Sequence, residues 1–414
     1  MATITQNLQI IKDSTADIKQ AIIDKGGEIQ GDLTTYADAI AKIPSGDAAS
    51  KNDVTFYDYD GTILYSYTAE EFLALTEMPP LPSRKGLICQ GWNYEIEDAM
   101  SYVAEYGILD IGANYITDDG KTRLYIRITA EGRMTVPFCF IQSVDNGVVI
   151  DWGDGSATQT FSGTGEKNTS HTYASVGDYC ITLEVTSGTL SLGNETSSFC
   201  VLGNIGNAGK VYCNMLQKVE IGAGITSLNY AFQNCYSLSS ISIPASVTKI
   251  GYNAFSRNVS LSFVVIPSGT ITISTNLFYN GYALNSVAIP SSVTSLGYTF
   301  INCWSLSSVV IPSNVTSIGT SVFYGCYSLP LIIIPPSVTS IGNEAFYNCY
   351  SVAFYDFSHH TSVPTLSNIN AFTGILSNCK IIVPDSLYDT WIAATNWSIY
   401  ADYIVKSSEY KSQK

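Results

Sequence analysis

The sequence predicts a mainly β, multidomain chain whose C-terminal half is a solenoid of short repeats. Three observations carry this. Phenylalanines recur at positions 232, 255, 278, 300, 323 and 346, in steps of 22 or 23 residues. Such a period marks stacked units that each supply one turn of a shared core. Residues 148–185 alternate apolar and polar side chains between turn signals, as half-buried strands do. Ahead of the repeats, helical periodicity is confined to short stretches before residue 110. A length of 414 residues suits several domains.

At the N-terminus, Ile4, Leu8, Ile11, Ile18 and Ile22 lie on a heptad seam together with Thr15. Ile-rich core positions in such a seam favour trimers. Gly26-Gly27 end this helix, and a second short helix precedes Pro44-Ser45-Gly46. A local helical hairpin without oligomerisation accounts for the same residues. The anchor or oligomerisation segment is expected over residues 1–48.

Residues 49–128 read as a small α+β domain. VTFYDYDGTILYSYT is a hairpin turning at Asp60-Gly61. Thr68 and Glu71 form a capping box that opens a short helix. WNYEIEDAMSYVAEYG is amphipathic, with Ile96, Met100 and Val103 on one face, and NYITDDGKTRLYIRI reads as a second hairpin. Asp58-Tyr59-Asp60-Gly61-Thr62 matches the DxDGT motif of HAD-type phosphatases. That chemistry needs a doubly wound sheet, for which about 70 residues are too few. A turn between alternating aromatics explains the same letters.

Residues 129–200 contain WGDG, HTY and GDYCITLEV in series. This resembles a PKD-type, Ig-like β-sandwich, which implies Trp152 in its core and a spacer or adhesion role. Asp151 and Asp154 admit a cation, but such residues more commonly make turn hydrogen bonds. His171 reads as a structural turn residue. No metal site, cofactor or catalytic constellation is expected anywhere in the chain. GxSxG, Walker and HExxH motifs are absent from the sequence.

The repeats extend over residues 201–377. Each unit reads Leu-x-x-Ile-x-Ile-Pro, then Val-Thr-x-Ile-Gly, then Phe, as in FYGCYSLPLIIIPPSVTSIGNEAF. The first part alternates like a strand, and Pro stops it because Pro cannot donate to a ladder. Val-Thr-x-Ile-Gly turns the chain and the Phe segment closes the coil. Burying each Phe contributes ~2–3 kcal/mol. Cys235, Cys303, Cys326 and Cys349 share one register, so they read as buried free thiols. This pattern resembles the BspA-like leucine-rich repeat family over residues 216–357. The resemblance implies a terminal cap, found at residues 378–414 in Lys380-Ile381-Ile382-Val383-Pro384 followed by a short helix with Trp391 and Trp397.

Between residues 221 and 355 the only charged residues are Lys249, Arg257 and Glu344. Four residues after the Phe stand Tyr236, Val259, Tyr282, Trp304, Tyr327 and Tyr350; outward strand positions include Phe263, Val265, Val310, Leu331 and Ile333. Uncharged aromatic stripes suit a host-surface glycan or a protein partner. Packing between coils explains them as well. The net charge of −15, without a basic stripe, argues against nucleic acid. No apolar run reaches the roughly 18 residues of a membrane span, and MATITQNLQIIKDS has no Sec signal pattern. Membrane insertion is therefore not expected.

IKQAIIDKGGEIQGDLTTYADAIAKI is similar to the opening of phage tail and tail-fibre proteins. That resemblance implies a virion protein made in the host cytoplasm. It would contact other tail proteins through its N-terminus, form a homotrimer, and recognise the host through the repeats. A bacterial surface adhesin and, far behind, a HAD-like phosphatase are the other readings.

Overall fold

The structure, a computed structural model, describes residues 53–129, 133–193, 199–204, 213–270 and 272–411. The seam residues Ile4, Leu8, Ile11, Ile18 and Ile22 lie outside the described residues. Residues 52–414 form one unit.

The expected first hairpin is present. Strands β1 (Val54–Tyr57) and β2 (Ile63–Tyr67) pair antiparallel, with Asp58 N donating to Thr62 O at 2.8 Å. Gly61 takes φ +88°, the left-handed conformation this turn requires. Helix α1 (Ala69–Leu73) starts at the Thr68/Glu71 capping box. Strand β3 (Leu87–Trp92), helix α2 (Ile96–Tyr106) and strand β4 (Leu109–Thr117) complete a sheet of order β2-β1-β4-β3. Its core holds Phe56, Phe72, Trp92 and Ile111.

Helix α2 buries a face that includes the predicted Val103 but is shifted from the rest of the predicted stripe. Ala99, Tyr102, Val103 and Tyr106 are buried, whereas Ile96 and Met100 are only partly covered. The helix has two neighbours, its own sheet and the repeats, so one apolar stripe does not describe it.

The second predicted hairpin does not form. Strand β4 has both edges occupied, by β1 and β3. The next strand, β5 (Thr122–Ile128), therefore leaves for another sheet after the turn at 118–121. There follow β6 (Thr135–Gln142), β7 (Val148–Asp151), β8 (Gln159–Thr160), β9 (Gly165–Thr172), β10 (Gly177–Val185), β11 (Leu190–Gly193), and the short pair β12 (Phe199–Cys200) and β13 (Gly203–Asn204).

The repeats begin with β14 (Leu216–Glu220) and β15 (Ile225–Asn229), then β16 (Ser240–Ser242), β17 (Lys249–Ile250), β18 (Phe263–Val265), β19 (Thr272–Ile273) and β20 (Ser286–Ala288). Two six-stranded sheets result, ordered β16-β14-β5-β10-β7-β8 and β19-β17-β15-β11-β6-β9. Strand β5 pairs antiparallel with β14, and β11 pairs parallel with β15. The first coil thus has its open backbone edge covered by the preceding strands. Both sheets and the repeats share one apolar core that runs from Leu124 to Ile404.

Most coils carry two short strands, the coil at residues 306–311 lacking the first. Leu-x-x-Ile-x-Ile supplies one column. The Thr-x-Ile segment, expected to be a turn, supplies a second parallel column, for example Ser295–Leu296, Ser317–Ile318 and Ser340–Ile341. The Phe side chains stack without a break from Phe232 through Phe255, Phe278, Phe300, Phe323 and Phe346 to Phe372, with centroids 5.1–5.8 Å apart. Left-handed residues flank each Phe. Two before it stand Tyr230, Asn253, Asn276, Tyr298, Ser321 and Glu344; two after it stand Asn234, Arg257, Asn280, Asn302, Gly325 and Asn348. Asn and Gly tolerate this conformation best, which accounts for their frequency there.

The thiols follow the same register. Cys303, Cys326 and Cys349 donate to the carbonyls of Phe278, Phe300 and Phe323 at 3.2–3.3 Å. Burial pushes all three thiols up, with Cys349 reaching about 12. The stack ends as expected, with Lys380–Val383 and helix α3 (Tyr388–Ala393), which buries Trp391. Trp397 Nε1 donates to Pro364 O at 2.8 Å. One further parallel strand, Ile404–Lys406, pairs with Lys380–Val383 within the predicted cap.

Candidate recognition surface

The outward strand positions of the repeats were expected to face a receptor. The structure corrects this for Phe263, Val265, Val310 and Ile333, because the β1–β4 sheet and α2 pack on them. Phe263 is 4% exposed, and its ring lies 4.6 Å from that of Tyr57. Val265 is buried against Gly112, and Val310 and Ile333 join the core of the small sheet. Leu331 stays partly exposed, in register with Phe354.

The repeat itself creates this interface. Each strand ends at Ile-Pro, and the Pro cannot extend the ladder. Three such Ile carbonyls accept hydrogen bonds from the small domain. Asn93 Nδ2 donates to Ile266 O (3.4 Å) and also to Ala288 O (3.2 Å). Tyr94 OH donates to Ile289 O (2.7 Å) and Tyr102 OH to Ile311 O (2.9 Å). The Asp110 carboxylate accepts from Ser286 Oγ (3.0 Å) and Ser308 Oγ (2.7 Å). Burial pushes the Tyr94 and Tyr102 hydroxyls above their ordinary value. Each of these buried polar groups has a partner, as burial demands. Sequence reasoning missed Asn93, Tyr94, Tyr102 and Asp110. The available signal was the apolar outward stripe itself, which is larger than an uncovered surface normally carries.

The aromatic positions four after the Phe remain at the surface. Tyr282 and Trp304 lie 4.2 Å apart, Trp304 and Tyr327 5.8 Å, and Tyr327 and Tyr350 5.5 Å. Val259 interrupts the row, so Tyr236 stands apart from Tyr282. Tyr236, Tyr282, Trp304 and Tyr327 are half-buried, while Tyr350 is 42% exposed. The rings pack between coils and still show an edge. A parallel pair, Tyr324 and Tyr347, stacks at 4.9 Å with planes 2° apart. Burial, then the neighbouring tyrosine hydroxyls, raises the pKa of Tyr324 and Tyr327. This leaves five tyrosines, Tyr282, Tyr324, Tyr327, Tyr347 and Tyr350, and Trp304 as a ribbed aromatic patch that presents hydroxyls and ring edges.

The WGDG and HTY motifs converge on one cluster. His171 lies on strand β9, not in a turn, and its ring stacks on Trp152 at 4.9 Å with planes 7° apart. Its Nε2 is 2.6 Å from Asp154 Oδ2. Tyr173 OH donates to Trp152 O at 2.9 Å. Hydrogen bonds from Ser156 and His171 hold the Asp154 carboxyl at about 2. Asp151 accepts from Gly153 N, and Asp154 from Ser156 N, as turn residues do. Among the described residues no three His, Cys, Asp or Glu side chains are grouped to hold a metal.

Asp58 of the DxDGT letters is fully buried, and Arg84 binds its carboxylate. It accepts from Tyr59 N at 2.8 Å, and the surrounding sheet has four strands. This arrangement ties up the oxygen that the phosphatase motif would use as nucleophile.

Residues 203–299 and 296–390 match the family described as "BspA type Leucine rich repeat region (6 copies)". The match is confined to the repeat region and the start of its cap. The match leaves residues 148–185 outside it. Among solved structures, the chain is similar to a leucine-rich repeat protein of T. pallidum at 24% identity, covering 33% of this chain and 72% of that one, TM-score 0.25. It is similar to a leucine-rich repeat protein of Bacteroides ovatus at 22% identity, covering 47% and 67%, TM-score 0.31. It is also similar to a leucine rich cell surface protein of Faecalibacterium prausnitzii at 23% identity, TM-score 0.26, covering 43% of this chain and 63% of that one, less than two thirds of its length. No curated protein matches the chain.

Proposed function

We propose that the chain is a non-enzymatic recognition protein whose repeats carry the contact surface. The observation behind this reading is the row Tyr282, Trp304, Tyr327 and Tyr350, stacked and partly exposed on a stack nearly free of charge. Ring faces and edges with hydroxyl handles suit sugars and protein loops alike. With the strand face already occupied by the small domain, the Phe-side edge is the broad aromatic surface left for a partner.

Within that reading, the particular role is host attachment on a phage tail. The similarity of the first 110 residues or so, residues 18–43 above all, to tail proteins supports it, as does the expected order of anchor, small domain, sandwich and repeats. Trimerisation through Ile4, Leu8, Ile11, Ile18 and Ile22 would add avidity to weak single contacts. The family match supports a second placement, a bacterial surface adhesin with the same contact surface. An antibody against residues 216–400 separates the two by labelling phage particles or bacterial cells. Trp304→Ala with Tyr327→Ala is expected to weaken attachment of the full chain to host cells. Unchanged attachment by the folded double variant refutes the aromatic surface.

A further inference from the structure

Arg257 departs from the rule that organises the Phe-side bends. The position two after each Phe is left-handed, and six other coils fill it with Asn234, Asn280, Asn302, Gly325, Asn348 and Gly374. Arg257 occupies it at φ +61°. A long side chain there is held in a conformation that Asn or Gly adopts more easily. Strain of this kind is a reason to look for a function.

The surroundings supply one. Arg257 borders a cavity of about 330 Å³ that is also lined by Gln233, Asn253, Ser256, Asn276 and Tyr279. The guanidinium lies 5.9 Å from the centre of the Tyr279 ring. It makes no ion pair with a described carboxylate. Among the described residues, Gln233 Oε1 is buried without a hydrogen-bond partner. With Asn234, which also borders it, the lining contains one fixed positive charge, four side-chain amides, a hydroxyl and an aromatic ring.

We propose that this cavity binds an acidic saccharide, a sugar ring bearing one carboxylate. The planar guanidinium matches a carboxylate with two parallel hydrogen bonds. The amides of Gln233, Asn253 and Asn276 match ring hydroxyls as donors and acceptors. The Tyr279 ring offers an apolar face to the sugar carbons. A single cation matches a singly charged carboxylate better than a phosphate monoester, whose charge approaches −2. The site stands apart in the sequence from the row Tyr282–Tyr350 and does not depend on it.

The test titrates the full chain with methyl glucuronide, methyl N-acetylneuraminide, methyl glucoside and inorganic phosphate, up to the millimolar range. At least one acidic glycoside is expected to bind, with the glucoside and phosphate at least about tenfold weaker, as loss of a charged hydrogen bond implies. Arg257→Asn installs the residue that neighbouring coils carry. It is expected to lower acidic-sugar affinity about tenfold or more while the melting temperature holds or rises. Trp304→Ala with Tyr327→Ala is expected to leave this binding unchanged, which separates it from the attachment reading. Wild-type affinity in Arg257→Asn, glucoside binding equal to glucuronide, phosphate binding as tight as the sugar, or no binding of either acidic glycoside overturns the proposal.

Discussion

Gly112→Ala is a direct probe of how the small domain sits on the repeats. A Cβ at this position would stand 2.5 and 2.7 Å from the two Cγ atoms of Val265 and 3.1 Å from its Cβ. Val265 is β-branched and lies in a strand, so its χ1 has little freedom to move aside. The overlap is expected to cost about 1–3 kcal/mol. Val265→Ala alone removes two buried methyl groups, a loss of about 2 kcal/mol once the residual cavity is included. In the double variant both clashing Cγ atoms are gone, and only the 3.1 Å approach remains. The two changes should therefore compensate, with a coupling energy of about 1–2 kcal/mol. Guanidinium unfolding of the full chain and the three variants, followed by near- and far-ultraviolet circular dichroism, measures it. Additivity within about 0.3–0.5 kcal/mol would refute the packing of β4 on Val265. It would also return the strand face to the pool of surfaces open to a partner.

His360 gives a pH prediction. It is 5% exposed, with its ring 5.2 Å from that of Phe357 and its Nε2 3.3 Å from Val338 O. Burial, opposed by hydrogen bonds, depresses the imidazole from 6.5 to about 4. The unfolded chain then binds the proton more readily than the folded one. This stabilisation is complete above pH 6.5 and is lost as pH falls toward 4, by about 3 kcal/mol in all. Denaturation midpoints across that range should slope in the native chain and flatten in His360→Gln, and an equal slope in both removes the assignment. For the N-terminal seam, the full chain is expected to sediment as a trimer and a chain of residues 49–414 as a monomer; a monomeric full chain sinks that proposal.

The solenoid was legible in the sequence because it is a local rule repeated. Phe at 22- or 23-residue steps, Ile-Pro strand ends and Cys in register each arise from contacts between adjacent coils, so the period records them. The capping box at Thr68 and Glu71, the Asp60-Gly61 turn and the Trp391/Trp397 cap are likewise signals between near neighbours in the chain. The second strand column was misread as a turn because a two-residue strand such as Lys249–Ile250 is too short to show alternation.

What the tertiary structure alone decided is pairing over long separations. The segment 114–128 has the letters of a hairpin, but strand edges are limited to two per strand. The neighbours of β4 and β5 come from elsewhere in the chain, which residue patterns do not encode. The outward residues Phe263, Val265 and Val310 looked like a receptor surface for the same reason. Sequence showed that the stripe was apolar, and burial by Tyr57, Gly112 and helix α2 showed what covers it. The sequence by itself determined the repeat, its core ladder and its charge-poor outside. The fold determined which side of that stack the chain's own small domain covers and which side stays exposed, because that choice depends on contacts between residues some 200 positions apart.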